Sequence, residues 1–215
     1  MQKILMDDQP ISSRFFGEGK WLSEFITPKS LEVNTLHKKL TENLNTLEER
    51  ITACWQWVAS QIRYKKFISG TLRIENKVER QNDLWLEPSL TIRTKVGNCA
   101  VKAFLLTSLL RWELPSNQVF CVLGNLSNNG DTGGHAWVQC NFGGTDYIME
   151  STRPDVPAMV RASIATRYQP VHLFNDEQAY YIEGATVMEP FTAAYSTWLK
   201  DYLDFAYIEG KGQKY

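Results

Sequence analysis

The chain has 215 residues, of which 43 % are hydrophobic and seven are tryptophan, and its formal net charge is −1. That length suits one domain, or one with a decorated end, and that composition excludes a disordered chain. Charges of both signs are interspersed, which argues against a nucleic-acid partner held through its phosphates. No apolar run is long enough to span a bilayer, so no membrane partner is expected.

Residues 1–30 are interrupted by Pro10, Gly17, Gly19 and Pro28 and predict irregular structure. Met1 to Pro10 is too polar to act as a signal peptide, so the expected location is cytoplasmic. From Leu36 to Ile62 apolar residues recur at helical spacing (Leu36, Leu40, Leu44, Leu47, Ile51, Trp55, Val58, Ile62). Thr46-Leu47-Glu48-Glu49 fits a capping box, so the stripe divides into two helices near Asn45. Residues 65–95 mix charges with scattered apolar positions and contain Pro88. They read either as a long surface excursion reaching a cleft or as a plain insertion.

After Val96, Gly97 and Asn98 supply the turn and the cap for a sharp entry into a helix. Cys99 opens that helix, and Ala100 to Leu110 is apolar almost all round, so the helix is expected to be buried. A cysteine on the first turn faces the positive end of the helix dipole, which favours thiolate over thiol. Asn117 to Gly124 reads as a buried strand, and Leu126 to Gly134 as a flexible polar turn. Gly133 to Cys140 alternates like a half-buried strand, Asn141-Phe142-Gly143-Gly144 reads as a turn, and Thr145 to Glu150 as the return strand. A turn centred on Phe142-Gly143 sets His135 opposite Glu150; one centred on Gly144-Thr145 sets Gln139 there. Either register keeps His135 and Glu150 on one sheet face.

Val171 to Phe174 and Ala179 to Ile182, separated by Asn175 to Gln178, predict a further hairpin. From Pro190 a helix is expected with Phe191, Tyr195, Trp198, Tyr202 and Phe205 along it. That stripe is either core or a docking face for a protein partner.

Thiol, imidazole and carboxylate in this order (Cys99, His135, Glu150) form the set a thiol acyl-transfer enzyme requires. The carboxylate would hold the imidazole tautomer that takes the thiol proton. Asp146 and Asp155 are the rivals for the acid. Trp137 reads as a packing wall that shields the imidazole from water. The other three cysteines, Cys54, Cys121 and Cys140, read as structural. None of the four forms a Cys-x-x-Cys pair, and His37, His135 and His172 complete no zinc spacing, so no metal or cofactor is expected.

Val96-Gly97-Asn98-Cys99 with its helix, Gly134-His135-Ala136-Trp137-Val138, and Ile148 to Pro154 together resemble the transglutaminase-like superfamily of papain-type folds. Trp57 to Tyr64 is similar to the segment preceding that core, and Asp83 to Pro88 to the one leading to the nucleophile in bacterial members. The likeness covers residues 46–155, about half the chain, and glutamate stands where the family usually has aspartate.

The resemblance implies an α+β fold: a Cys-bearing central helix on an antiparallel sheet, with helical additions at both ends. The expected division is an extension over 1–45, a catalytic core over 46–155, and a hairpin with an aromatic helix over 156–215. It also implies acyl transfer at peptide or protein amide bonds. Hydrolysis is preferred to amine exchange, because nothing marks a lysine-accepting groove or calcium ligands. The Cys99 amide is a natural first oxyanion donor, and Trp85 or Asn98 the candidate second. The alternative is a structural or binding component of a larger assembly, such as a virus particle, that keeps the fold.

Overall fold

A computed structural model describes residues 3–5, 10–11, 20–74, 77–81, 84–128, 131–188 and 197–212. In chain order the elements begin with β1 (Lys3–Leu5), β2 (Pro10–Ile11) and β3 (Lys20–Trp21), then a single 3-10 turn over Leu22–Phe25. Next come α1 (Leu31–Thr41), α2 (Leu47–Gln61), β4 (Arg63–Tyr64), β5 (Gly70–Ile74), β6 (Lys77–Gln81), α3 (Pro88–Thr94), β7 (Val96–Gly97) and α4 (Cys99–Leu110). The remainder is β8 (Val119–Asn128), β9 (Asp131–Phe142), β10 (Thr145–Met149), β11 (Val160–Arg161), β12 (Tyr168–Phe174), β13 (Ala179–Ile182) and α5 (Thr197–Gly212).

Seven strands form one antiparallel sheet in the order β1-β13-β12-β8-β9-β10-β11. Helix α4 packs on β8 and β9, and α1, α2 and α3 enclose its other sides. This explains why its sequence is apolar all round: every residue from Ala100 to Leu110 is buried. Each large apolar side chain so enclosed stabilises the fold by about 1.5–3 kcal/mol. Of its polar residues, Ser108 is satisfied within the fold: its Oγ donates to the Phe104 carbonyl at 2.8 Å and accepts from Thr27 N at 3.0 Å. The fold is α+β, with the Cys99-bearing helix lying on an antiparallel sheet.

The two-helix reading of the Leu36–Ile62 stripe holds. Thr46 Oγ1 accepts from Glu49 N at 3.2 Å while Glu49 Oε2 accepts from Thr46 N at 2.9 Å, a reciprocal cap that starts α2. The hairpin expected around Asn175 also forms. Its side-chain oxygen accepts from Glu177 N and Gln178 N, both at 2.9 Å, and its amide donates to the Val119 carbonyl at 2.9 Å.

Other expectations need correction. Residues 65–95 are not a bare loop: β5 and β6 pair as a hairpin, α3 follows, and Leu84, Trp85 and Leu86 are buried. Pro88 occupies the first turn of α3, where its missing N–H costs nothing. The polar turn over 126–134 is also far shorter than expected. β8 and β9 pair through Asn128 and Asp131, with Ser127 opposite Thr132 and their hydroxyls 3.0 Å apart. Nor is the first segment wholly irregular, since Leu22, Phe25 and Ile26 enter the core.

Helix α5 is described over Thr197–Gly212; Pro190, the expected start of the helix, Phe191 and Tyr195 lie outside the described residues. Within it Leu203 and Ala206 are buried, whereas Phe205, expected on the same stripe as Tyr202, is 59 % exposed. Helix α5 packs against β11, and that neighbour selects a face one residue away from the aromatic spacing. Among the described residues no helix is long and apolar enough to cross a membrane.

Candidate active site

Cys99 begins α4 because Asn98 ends the extended chain before it. The Asn98 side-chain oxygen accepts from Val101 N at 3.0 Å, closing the first turn as an N-cap. Asn98 is itself 4 % exposed, and its oxygen is committed to this cap. Cys99 remains half-buried, while Cys54, Cys121 and Cys140 are buried.

His135 lies in the interior of β9 and is 4 % exposed. The β9–β10 turn is a two-residue Gly143-Gly144 loop, with φ of 58° and 77°. Those left-handed angles are why glycine stands at both positions. The register it sets falls between the two anticipated: Ile148 faces Gln139, and Met149 faces Val138. Carried one step further, it sets Glu150 beside Trp137, on the sheet face of His135 and one diagonal step away. A diagonal neighbour suits a glutamate. Its Oε2 lies 2.7 Å from His135 Nε2, and both side chains are 1 % exposed.

With Nε2 engaged by Glu150, Nδ1 is the ring nitrogen left for Cys99, whose side chain is among the groups that raise the imidazole's pKa. Burial alone would lower the imidazole's pKa. The Glu150 charge and the hydrogen bonds to Cys99 and Glu150 outweigh it and raise the group from 6.5 to about 10. Glu150 moves the other way. Burial pushes its carboxyl up, but the His135 charge, the hydrogen bond from His135 and those from Thr152 hold it below the usual carboxylate range.

Glu150 is held by more than the sequence motif showed. Oε1 accepts from Thr152 N at 2.9 Å and from the Thr152 hydroxyl at 2.5 Å, and Oε2 also accepts from the Tyr168 hydroxyl at 3.0 Å. Four donors, with His135 among them, thus meet a carboxylate that water does not reach, which is the condition for keeping a buried charge. Burial and the neighbouring Glu150 charge raise the Tyr168 phenol well above its ordinary range, so it remains a donor. The Trp55 indole N–H donates to the Glu150 carbonyl at 2.7 Å.

Trp137 is fully buried and stacks on the imidazole, with ring centroids 6.1 Å apart at 27°. The Tyr168 ring stands 6.1 Å from the imidazole on another side and meets Trp137 edge-on at 5.0 Å. The two rings wall the His135–Glu150 pair from solvent. Trp85 lies in the hydrophobic core, edge-on to Phe25 at 5.5 Å and to Phe104 at 5.1 Å. The rival acids are engaged elsewhere: Asp146 accepts from the Asn141 side chain at 2.9 Å, and Asp155 pairs with Arg153 at 2.6 Å.

Tyr168, Thr152 and Trp55 are the residues that sequence reasoning passed over. Thr152 sits two residues beyond the acid, a spacing at which a hydroxyl and an amide can fold back onto it. Tyr168 lies on β12 and reaches the site only through the sheet's strand order. Among the described residues no cluster of three or more His, Cys, Asp or Glu is placed to hold a metal ion.

The family model described as the transglutaminase-like superfamily matches residues 34–149. A comparison with curated proteins finds no match. Among solved structures, the chain is similar to Legionella pneumophila LapG at 19 % identity and a TM-score of 0.44, over 72 % of this chain and 90 % of that one. The EGTA-treated form of LapG aligns at 16 % identity and a TM-score of 0.44, over 83 % and 97 % of the two chains. A Cytophaga hutchinsonii protein described as a "Putative Cysteine Protease" aligns at 19 % identity and a TM-score of 0.45, covering 80 % of this chain and 57 % of that one.

Proposed function

Because the chain belongs to the transglutaminase-like superfamily, we propose that it is a thiol-dependent enzyme acting on amide bonds of peptides or proteins. In this reading Cys99 is the nucleophile, His135 carries the proton and Glu150 orients His135. The observation that carries it is the dry His135–Glu150 pair, whose imidazole is coupled electrostatically to the half-buried Cys99.

The Cys99 sulfur attacks the amide carbonyl carbon while its proton resides on His135 Nδ1. The developing oxyanion accepts from the Cys99 backbone N–H, one of the amides a helix start leaves without an intrahelical partner. Collapse of the tetrahedral species breaks the C–N bond, and His135 gives its proton to the departing amine. A water then attacks the thioester, with His135 taking its proton, and the acid leaves as the thiol is restored. Glu150 stays ionised throughout and stabilises the imidazolium at each passage. Water is the proposed acceptor, since Cys99 is only half-buried.

Alkylation by iodoacetamide near neutral pH tests the reading. Cys99 should react about a hundredfold faster in the native protein than in His135→Ala. Equal rates in the two proteins would sink it.

A second reading rests on α5, where Phe205 is 59 % and Ile208 68 % exposed. It makes the chain a component docked to a protein partner through that helix. Light scattering on the purified chain and on a Phe205→Ser, Ile208→Ser variant discriminates: a monomer in both counts against docking between copies.

A further inference from the structure

Lys102 stands one turn beyond Cys99 on α4, is 1 % exposed, and has no part in the chemistry above. Its ammonium donates to the Ala59 carbonyl at 3.0 Å and to the Ile62 carbonyl at 2.8 Å. Those carbonyls belong to the last turn of α2 and its C-cap, where a helix leaves acceptors unpaired and its dipole is negative. A buried lysine is costly unless its donors are met, so this ammonium fixes how deeply α4 seats against α2.

The approach to Cys99 is locked to the same place. β4, directly after α2, pairs in parallel with β7, and Arg63 N donates to the Lys95 carbonyl at 2.9 Å and Lys65 N to the Gly97 carbonyl at 3.0 Å. Gly97 lets the elements close. A Cβ there would lie 3.0 Å from Val101 Cγ1, 3.1 Å from Lys102 Cγ and 3.2 Å from Ile62 Cγ2. Nearer its middle, α2 presents Trp55, whose indole N–H holds the Glu150 carbonyl at 2.7 Å.

We infer that α2 is the jig of the active site: Lys102 and Trp55 are positioning residues that register the nucleophile's helix and the acid's backbone against one rigid element. The inference rests on the reading of Cys99, His135 and Glu150 as the reacting set. Neither residue touches those side chains' reacting atoms through a hydrogen bond. Lys102 acts on Cys99 through the seating of α4, and Trp55 on His135 through the placement of Glu150. Sub-ångström errors in such placements are expensive in rate.

The test is iodoacetamide alkylation of Cys99, followed by peptide mass spectrometry at about pH 6 and about pH 10, on folded wild type, His135→Ala, Lys102→Met and Trp55→Phe. At the lower pH the thiol depends on His135 to take its proton; at the higher, an ordinary thiol ionises unaided. Wild type and His135→Ala alone decide the underlying reading, through a His135-dependent rate near pH 6. Given that dependence, Lys102→Met and Trp55→Phe should each lose about tenfold near pH 6. Near pH 10 Trp55→Phe should stay within about twofold of wild type. It carries that comparison because burial lowers Lys102 to about 8, so wild type has lost the ammonium there as well. A rate near pH 6 within about twofold of wild type in either variant would overturn the jig, and so would equal proportional losses at both pH values in Trp55→Phe, the mark of a merely loosened fold. Where Lys102→Met does not fold, Trp55→Phe, at the other attachment of α2, decides the question by itself.

Discussion

His135 Nε2 lies 2.7 Å from Glu150 Oε2, although the β9–β10 ladder ends one residue before the acid, at Met149. The glutamate therefore reaches its partner diagonally, from just beyond the strand. Its side chain, one methylene longer than that of aspartate, makes that span.

Glu150→Gln should fold, since the amide is isosteric, but be less stable by roughly 3 kcal/mol, the usual cost of leaving a buried charge partner alone. Its Cys99 alkylation and turnover should fall by orders of magnitude, because a neutral partner does not stabilise the imidazolium. Glu150→Asp should keep part of the activity. Asp146→Asn should be silent, as Asp146 is engaged at the turn with Asn141. A silent Glu150→Gln beside an inactive Asp146→Asn would require the site to be redrawn.

Tyr168→Phe and Thr152→Val each remove donors to the carboxylate while keeping the side chain's shape. Each should cost about 1–3 kcal/mol in stability by urea unfolding and about tenfold in the Cys99 alkylation rate. Loss of stability with an unchanged rate would show the two residues to be packing alone.

Native-state thiol labelling should be confined to Cys99. Burial pushes Cys54 and Cys140 up to about 12 and raises Cys121 well above the ordinary thiol range, so these three stay protonated as well as covered. Mass spectrometry should count one label before unfolding and four after. Uniform labelling of the native chain would contradict this.

His135 keeps its proton in the folded site up to about pH 10, against an ordinary 6.5, so its contribution to stability is complete below pH 6.5 and is lost as pH rises toward 10. Glu150 is shifted below its ordinary 4.5, so its contribution is present above pH 4.5 and is lost as pH falls through the folded value. The pair stabilises most between pH 4.5 and 6.5. The difference in urea midpoint between wild type and His135→Gln should narrow steadily from about pH 6 to about pH 10. A difference that widens over that range would contradict the assigned shifts.

What the sequence disclosed was local. The capping box at Thr46, the cap at Asn98 before Cys99, and the period-two alternation around His135 each involve residues within a few positions of one another. An even-length turn sufficed to put His135 and Glu150 on one face, even though its centre was misplaced by one residue. What stayed hidden depends on long-range order. Tyr168 reaches Glu150 across the sheet, Lys102 lies in an otherwise apolar helix with nothing local to show that the end of α2 stands beside it, and Phe205 faces outward because β11 meets a different stripe of α5. The charged β5–β6 hairpin escaped for another reason: its alternation is masked by Arg73, Lys77, Glu79 and Arg80.

In the proposed reaction Cys99, served by His135, forms and releases an acyl-enzyme. Mixing the protein with p-nitrophenyl acetate and quenching in acid before intact-mass and peptide analysis measures this directly. The expected result is a burst of one p-nitrophenol per chain, a single acetyl group on Cys99 that is then lost to water, and a loss of about a hundredfold in the burst rate in His135→Ala. Acetyl groups spread over lysines, with no burst and no dependence on His135, would contradict it.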